Sequence, residues 1–133
     1  MIVIDSSAII AILNDEPERR VFNEAVEQAD GCLISTASFV EASIVIDNQR
    51  GYDGLRDFDL FIVSAGIELV PVDADQAHIA RRAYRRYGKG RHPAALNFGD
   101  CFSYALAKAT GLPLLFKGSD FAQTDLQAAV TRA

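Results

Sequence analysis

Asp5, Glu41, Asp100 and Asp120 are the residues of this chain best suited to do chemistry together. Each lies just beyond a short apolar run or in the helix expected to follow one. A parallel sheet built from such runs collects the residues after its strands at one edge, so the four carboxylates would share a site. Like charges a few ångströms apart do not all stay ionised without a compensating cation. The donors are all oxygen, unaccompanied by His or Cys, which suits a hard cation, Mg²⁺ or Mn²⁺, rather than zinc. Such a cation activates water and neutralises a phosphodiester, so hydrolysis of a nucleic-acid backbone is the natural reaction.

Each acid also has a plain structural use. Asp5 suits a turn or helix cap, but it directly follows Ile2-Val3-Ile4, and an acid at the end of a buried strand needs a partner or a cation to stay charged. Asp100 stands three residues after Asn97 and could stabilise its own helix N-terminus, an effect of about 0.5 to 1 kcal/mol. Glu41 is flanked by Phe39, Val40, Ala42 and Ile44, which points it toward an enclosed place. Asp120, in Lys117-Gly118-Ser119-Asp120-Phe121, serves a turn equally well, and Asp125 reads as a cap for Leu126 onward. Only the joint placement argues for a metal site. Ser7 is placed to hold a metal-bound water or a phosphate oxygen and Asn97 to orient Asp100, although helix capping accounts for both as well.

A basic segment supplies a place for the substrate. The net charge of −5 argues against a protein that coats nucleic acid, yet Arg81, Arg82, Arg85, Arg86, Lys89 and Arg91 bring six of the thirteen Lys and Arg residues into eleven positions, with His92 next. On a helix, Arg81 with Arg85 and Arg82 with Arg86 are like-charged i,i+4 pairs that weaken it by a few tenths of a kcal/mol each, so they invite an anion. Phosphate is the natural one, and the segment leads toward Asp100. Solvated cations that complement a helix C-terminus are the plainer alternative.

The elements that must position these groups are legible. The 133 residues, half of them apolar, make one domain, 1–133, with enough apolar surface for a core. A strand at Ile2 to Ile4, expected to be central, leads into a helix capped by Ser6 or Ser7 that runs through Leu13. Pro17 opens a second helix to about Ala29. A strand at Cys32 to Ser35 precedes a helix capped by Thr36 or Ser38 that carries Glu41 and ends at Gly51. The spacing of Leu55, Phe58, Phe61 and Ile62 predicts a helix closed by Gly66. A strand comes next at Ile67 to Val72, then a helix capped by Asp73 that ends at Gly88. After a polar loop, Asn97 caps a helix from about Phe98 to Thr110, Leu114 to Phe116 is a fourth strand, and residues 128–131 would add a fifth. Strands alternating with helices, without tight hairpins, indicate an α/β fold with a mainly parallel sheet of four to five strands covered on both faces.

No apolar stretch approaches the roughly 20 residues that span a bilayer, and Met1 leads straight into the first strand, so a mature, cytoplasmic protein without membrane contact is expected. Cys32 and Cys101 read as reduced core thiols.

The sequence resembles the PIN-domain ribonucleases and, within them, the VapC toxins of bacterial type II toxin-antitoxin pairs. The resemblance spans nearly the whole chain and rests on four stretches: Met1-Ile2-Val3-Ile4-Asp5-Ser6-Ser7-Ala8, Ala37-Ser38-Phe39-Val40-Glu41, Gly88-Lys89-Gly90-Arg91-His92-Pro93-Ala94 with Leu96-Asn97-Phe98-Gly99-Asp100-Cys101, and Leu115-Phe116-Lys117-Gly118-Ser119-Asp120-Phe121. It implies a three-layer α/β/α sandwich, Mg²⁺ or Mn²⁺ as cofactor, Asp5, Glu41, Asp100 and Asp120 at the family's acidic positions, and cleavage of RNA that arrests growth until a cognate, VapB-like antitoxin binds. It also implies a homodimer and a toxin-antitoxin hetero-oligomer. Ser119 departs from the pattern, since similar chains often carry Asp or Asn there, which weakens a supporting or metal contact beside Asp120.

Two other classes compete. A non-catalytic module that holds RNA or a protein on a degenerate nuclease fold is disfavoured because all four acids persist. A phosphoacceptor receiver would share the strand-ending Asp and a late Lys, here Lys117, but it needs an acidic pair near its first strand, and residues 1 to 4 hold no acid.

Overall fold

A computed structural model describes residues 1–130. Four strands, β1 (Ile2–Ile4), β2 (Cys32–Ser35), β3 (Ile67–Val70) and β4 (Leu114–Leu115), form one sheet in the order β3-β2-β1-β4. Every pairing between them is parallel. The continuous apolar runs of β1 and β2 are buried along their whole length, as strands covered on both faces must be.

Strand alternation sorts the core into two halves. Ile2, Ile4, Cys32, Ile34 and Leu115 point to one face. There they meet Ile9 and Ile12 of α1 (Ser6–Leu13), Phe22 and Val26 of α2 (Arg19–Gln28), and Ala42, Ile46 and Phe58 of α3 (Thr36–Ser64). Val3, Leu33 and Leu114 point to the other face, against Ala80 and Ala83 of α4 (Ala74–Tyr87) and Tyr104, Ala105 and Leu106 of α5 (Asp100–Thr110). The result is the three-layer α/β/α sandwich, with β1 inside the sheet.

Helix starts fall earlier than the hydroxyl signals suggest. Asp5, not Ser6 or Ser7, caps α1 by accepting from the Ser7 N–H, and Ser35, still in β2, caps α3 through the Ala37 N–H. Strand and helix therefore join with no loop between them, which pins the first turns of α1 and α3 directly to the sheet edge. Within the span of α3 two helices meet at a kink at Gly51, where the sequence expects one to end, with φ 60° and ψ −147°. This left-handed conformation is one that glycine adopts without a steric cost. The third strand stops at Val70 and the fourth at Leu115, and α5 begins at Asp100 rather than Phe98. Near residue 128 the chain makes an isolated bridge, Leu114 to Ala128, rather than a fifth strand. Thr131 lies outside the described residues. Asp73 caps α4, as the sequence indicates, and Gly111 closes α5 in the left-handed region. Cys32 and Cys101 are buried free thiols. Among the described residues no helix is long and apolar enough to cross a membrane.

Candidate acidic site at the carboxyl edge of the sheet

Asp5 is the anchor of this edge. It extends the central strand through its N–H to the Leu115 carbonyl and is only 2% exposed. Burial of a carboxylate requires donors, and two are in place. Its Oδ2 accepts from the Ser7 N–H at 3.0 Å, and its Oδ1 accepts from the Ser103 hydroxyl at 2.5 Å. The Ser103 proton is committed to Asp5, so the 2.8 Å contact between Ser38 and Ser103 has Ser38 as donor. Ser38 and Ser103 are themselves buried, and this hydroxyl relay runs from α3 through α5 to the end of β1.

Glu41 is held differently. Its Oε1 accepts from the Ser6 hydroxyl at 2.7 Å. Its other oxygen rests on the backbone of Gly99, where a Cβ would fall 2.0 Å from Oε2. Gly99 has an ordinary helical φ of −63°, so closeness rather than backbone conformation calls for glycine there. The apolar neighbours of Glu41 are not what encloses it: Val40 and Ile44 are more than half exposed. Half-buried at this contact, the Glu41 carboxyl is pushed up by burial, opposed by the Ser6 hydrogen bond and raised further by the charge of Asp5.

Asn97 and Asp100 clasp each other. The Asp100 N–H donates to Asn97 Oδ1 at 2.8 Å and the Asn97 N–H donates to Asp100 Oδ2 at 3.0 Å. This is the reciprocal arrangement that secures a helix start. The Asp100 carboxyl is raised from its ordinary 3.8 to about 6, first by burial and then by the charges of Asp5, Glu41 and Asp120, against the lowering effect of the Asn97 N–H. Asp120 is exposed in the turn after β4 and precedes a short 3-10 helix at Phe121–Gln123, with no capping hydrogen bond from its side chain. Ser119 is exposed beside it.

The four acids thus share an edge at which the charges of the other three help to raise Asp100, and their all-oxygen chemistry suits a hard divalent cation. Their side chains are not drawn into a ready cage, however. Among the described residues, no three Asp, Glu, His or Cys side chains are gathered closely enough to hold a metal. The carboxylates lean on separate donors instead: Ser103 and Ser7 for Asp5, Ser6 for Glu41, Asn97 for Asp100.

Of the neighbours expected at the site, Asn97 orients Asp100. Ser7 ties the edge together, since its hydroxyl accepts from the Lys117 N–H at 3.0 Å. The Lys117 ammonium is engaged by Glu16 and, at 3.5 Å, by Glu18. Ser6, Ser38, Gly99 and Ser103 were not visible as site residues in the sequence. Only Gly99, placed directly before Asp100, carried a local signal.

The basic residues lie on α4 and the loop after it. Arg81, Arg82, Arg85, Arg86, Lys89 and Arg91 are exposed, and among the described residues none pairs with a carboxylate. Arg86 stacks over Tyr87 at 4.9 Å. His92 plays a structural part in this loop. Its ring meets the edge of Tyr87 at 5.0 Å and its Nδ1 accepts from the Ala94 N–H at 3.0 Å.

Residues 2–126 match the PIN domain family model. The chain belongs to this family. A curated relative, the ribonuclease VapC of Mycolicibacterium smegmatis, is 56% identical over 126 residues, covering 95% of this chain and 98% of that protein. This places the chain among the VapC-type PIN ribonucleases. The fold is shared with VapC20 of Mycobacterium tuberculosis, a sarcin-ricin loop cleaving toxin, at a TM-score of 0.78 and 16% identity over 95% of this chain and 96% of that one. It is shared also with a toxin-antitoxin complex from Klebsiella pneumoniae, at a TM-score of 0.69 and 18% identity over 94% and 93% of the two chains.

Proposed function

We propose that this VapC-type PIN domain, residues 1–133, is a Mg²⁺- or Mn²⁺-dependent endoribonuclease that hydrolyses RNA phosphodiester bonds and acts in the cytoplasm as the growth-arresting toxin of a toxin-antitoxin pair. The observation that carries this reading is the set of four carboxylates around the end of β1, with Asp100 raised to about 6 by burial and by the other three. Asp5, Glu41, Asp100 and Asp120 would hold the cation. A divalent cation bound there supplies the positive charge that these acids and a phosphodiester both need.

The chain's own residues do the rest. Ser103, Ser38 and Ser7 fix the Asp5 carboxylate, Ser6 and Gly99 fix that of Glu41, and Asn97 fixes Asp100. Ser119 lies beside Asp120 without an acidic group of its own. The exposed cations of α4 and its loop bind the RNA backbone, His92 serving mainly to shape that loop. Val40 and Ile44, one turn apart on α3, leave apolar surface exposed beside Glu41, which suits a protein partner. A cognate VapB-like antitoxin and a second copy of the chain are the partners assigned on this reading, in a homodimer and a toxin-antitoxin hetero-oligomer.

Induced expression tests it. Growth should stop and new RNA 5′ ends should accumulate at a small set of sites with the unaltered chain and not with Asp5→Asn. Equal arrest and equal cleavage by that variant would remove Asp5 from the centre of the mechanism.

A further inference from the structure

An apolar groove of about 490 Å³ lies between α4 and the start of α5, next to the acidic edge. Phe98, Phe102 and Tyr84 give it aromatic walls, and Ala77 and Ala80 give it depth. Phe98 is 79% exposed although aromatic, and packs edge-on against Phe102 with ring centroids 4.9 Å apart. It is not loosely placed. It sits inside the turn closed by the reciprocal Asn97 and Asp100 hydrogen bonds, and Leu96, just before that turn, is tied to Tyr87 and Lys89 by two backbone hydrogen bonds of 2.9 Å. Arg81 and Lys89, both exposed, line the same groove.

We infer that this groove takes one unstacked base of a single-stranded RNA, stacked on Phe98, with an adjoining phosphate on Arg81 and Lys89. The inference rests on the ribonuclease reading and extends it to a subsite beside the cleaved bond. An exposed aromatic ring on a hydrogen-bonded turn, flanked by cations that pair with no carboxylate among the described residues, is the combination that single-stranded nucleic acid uses, because every base has a π-face and every base carries a phosphate beside it. A base within a duplex hides both faces, so the subsite selects loops and single strands. Phe98 lies two residues from Asp100, which sets the stacked base close to the acidic edge. A peptide would also fill an apolar groove, but the row of exposed cations along α4, none paired with a carboxylate among the described residues, favours a polyanion.

The test uses a single-stranded oligoribonucleotide carrying a cleavage site found by 5′-end mapping, cut in Mn²⁺, and versions with the base removed at each position around that site. Phe98→Ala should lower kcat/KM about tenfold, chiefly through KM, while Phe98→Trp stays within about twofold of the unaltered chain. Removing one particular base should cost the unaltered chain a similar factor and cost Phe98→Ala nothing more. If Phe98→Ala cuts every oligonucleotide as the unaltered chain does, the subsite is wrong while the ribonuclease reading stands. If Phe98→Ala changes only self-association or antitoxin capture, the groove belongs to a protein and the inference fails. If the unaltered chain cuts no RNA, the ribonuclease reading fails and takes the subsite with it.

Discussion

The acidic edge and the basic face of α4 treat charge in opposite ways. At the edge, Asp5 rests on Ser7 and Ser103, Glu41 on Ser6 and Asp100 on the Asn97 N–H, and burial raises both Glu41 and Asp100. On α4 and its loop, six cations stand in solvent, and among the described residues none pairs with an acid. The difference teaches which charges are fixed in place and which wait for a partner. Buried groups held by short hydrogen bonds are preorganised, so small displacements there cost much. Solvated cations act through summed attraction, so single losses there cost little.

Gly99→Ala should break the edge most sharply among changes that leave all four acids in place. The new Cβ collides with the Glu41 carboxylate, which has to leave Ser6 or its seat. Cleavage should fall by about a hundredfold, as for a misplaced catalytic group, with a melting temperature little changed. Unaltered single-turnover cleavage would show that the Glu41 position is unimportant. Ser103→Ala should come second, with about a tenfold loss of cleavage and about 1 to 3 kcal/mol of stability, because Asp5 loses a buried donor and Ser38 loses its acceptor. Denaturant unfolding beside a cleavage assay separates the two effects.

Asp100 sharpens the contrast through pH. Its folded carboxyl titrates at about 6 against an ordinary 3.8, so the folded chain holds that proton more tightly than the unfolded one. The stabilising contribution is full below about pH 3.8 and is lost as pH rises through about 6. In metal-free buffer Asp100→Asn should therefore match the unaltered chain near pH 3.8 and exceed it at pH 7 by about 1 to 2 kcal/mol, discounted for partial exposure. Urea unfolding at both pH values measures this, and an equal difference at the two would contradict it. On the basic side, replacing Arg85 and Arg86 by Ala should weaken RNA binding only several-fold and reduce the slope of log K against log salt by about 1.4, two phosphates' worth on a single strand. An unchanged slope would return both arginines to solvent.

The two regions also differed in how far the sequence revealed them. The acids and the cations were legible by type and spacing, and the strand-ending position of Asp5 followed from the apolar run before it. Helix starts were misplaced because Asp5 and Ser35 each act as cap from the strand's own end, leaving no loop in which a separate cap could sit. The donors that hold the acids were hidden for a different reason. Ser103 reaches Asp5 across 98 positions and Ser6 reaches Glu41 across 35, so no local pattern announces either contact. A serine inside Phe102-Ser103-Tyr104 reads as helix filling until the sheet places it over β1. The expected fifth strand failed because residues 127–129 give β4 two backbone hydrogen bonds and no longer ladder.

Cleavage of a mapped oligoribonucleotide by purified Asp5→Asn in Mn²⁺ tests the central claim most directly, alongside calorimetric titration of Mn²⁺ into the same protein. Asn keeps the shape of Asp5 and removes its charge, so the account predicts an intact fold, cleavage lower by about a thousandfold, and weakened Mn²⁺ binding. Cleavage and Mn²⁺ binding equal to those of the unaltered chain would contradict it.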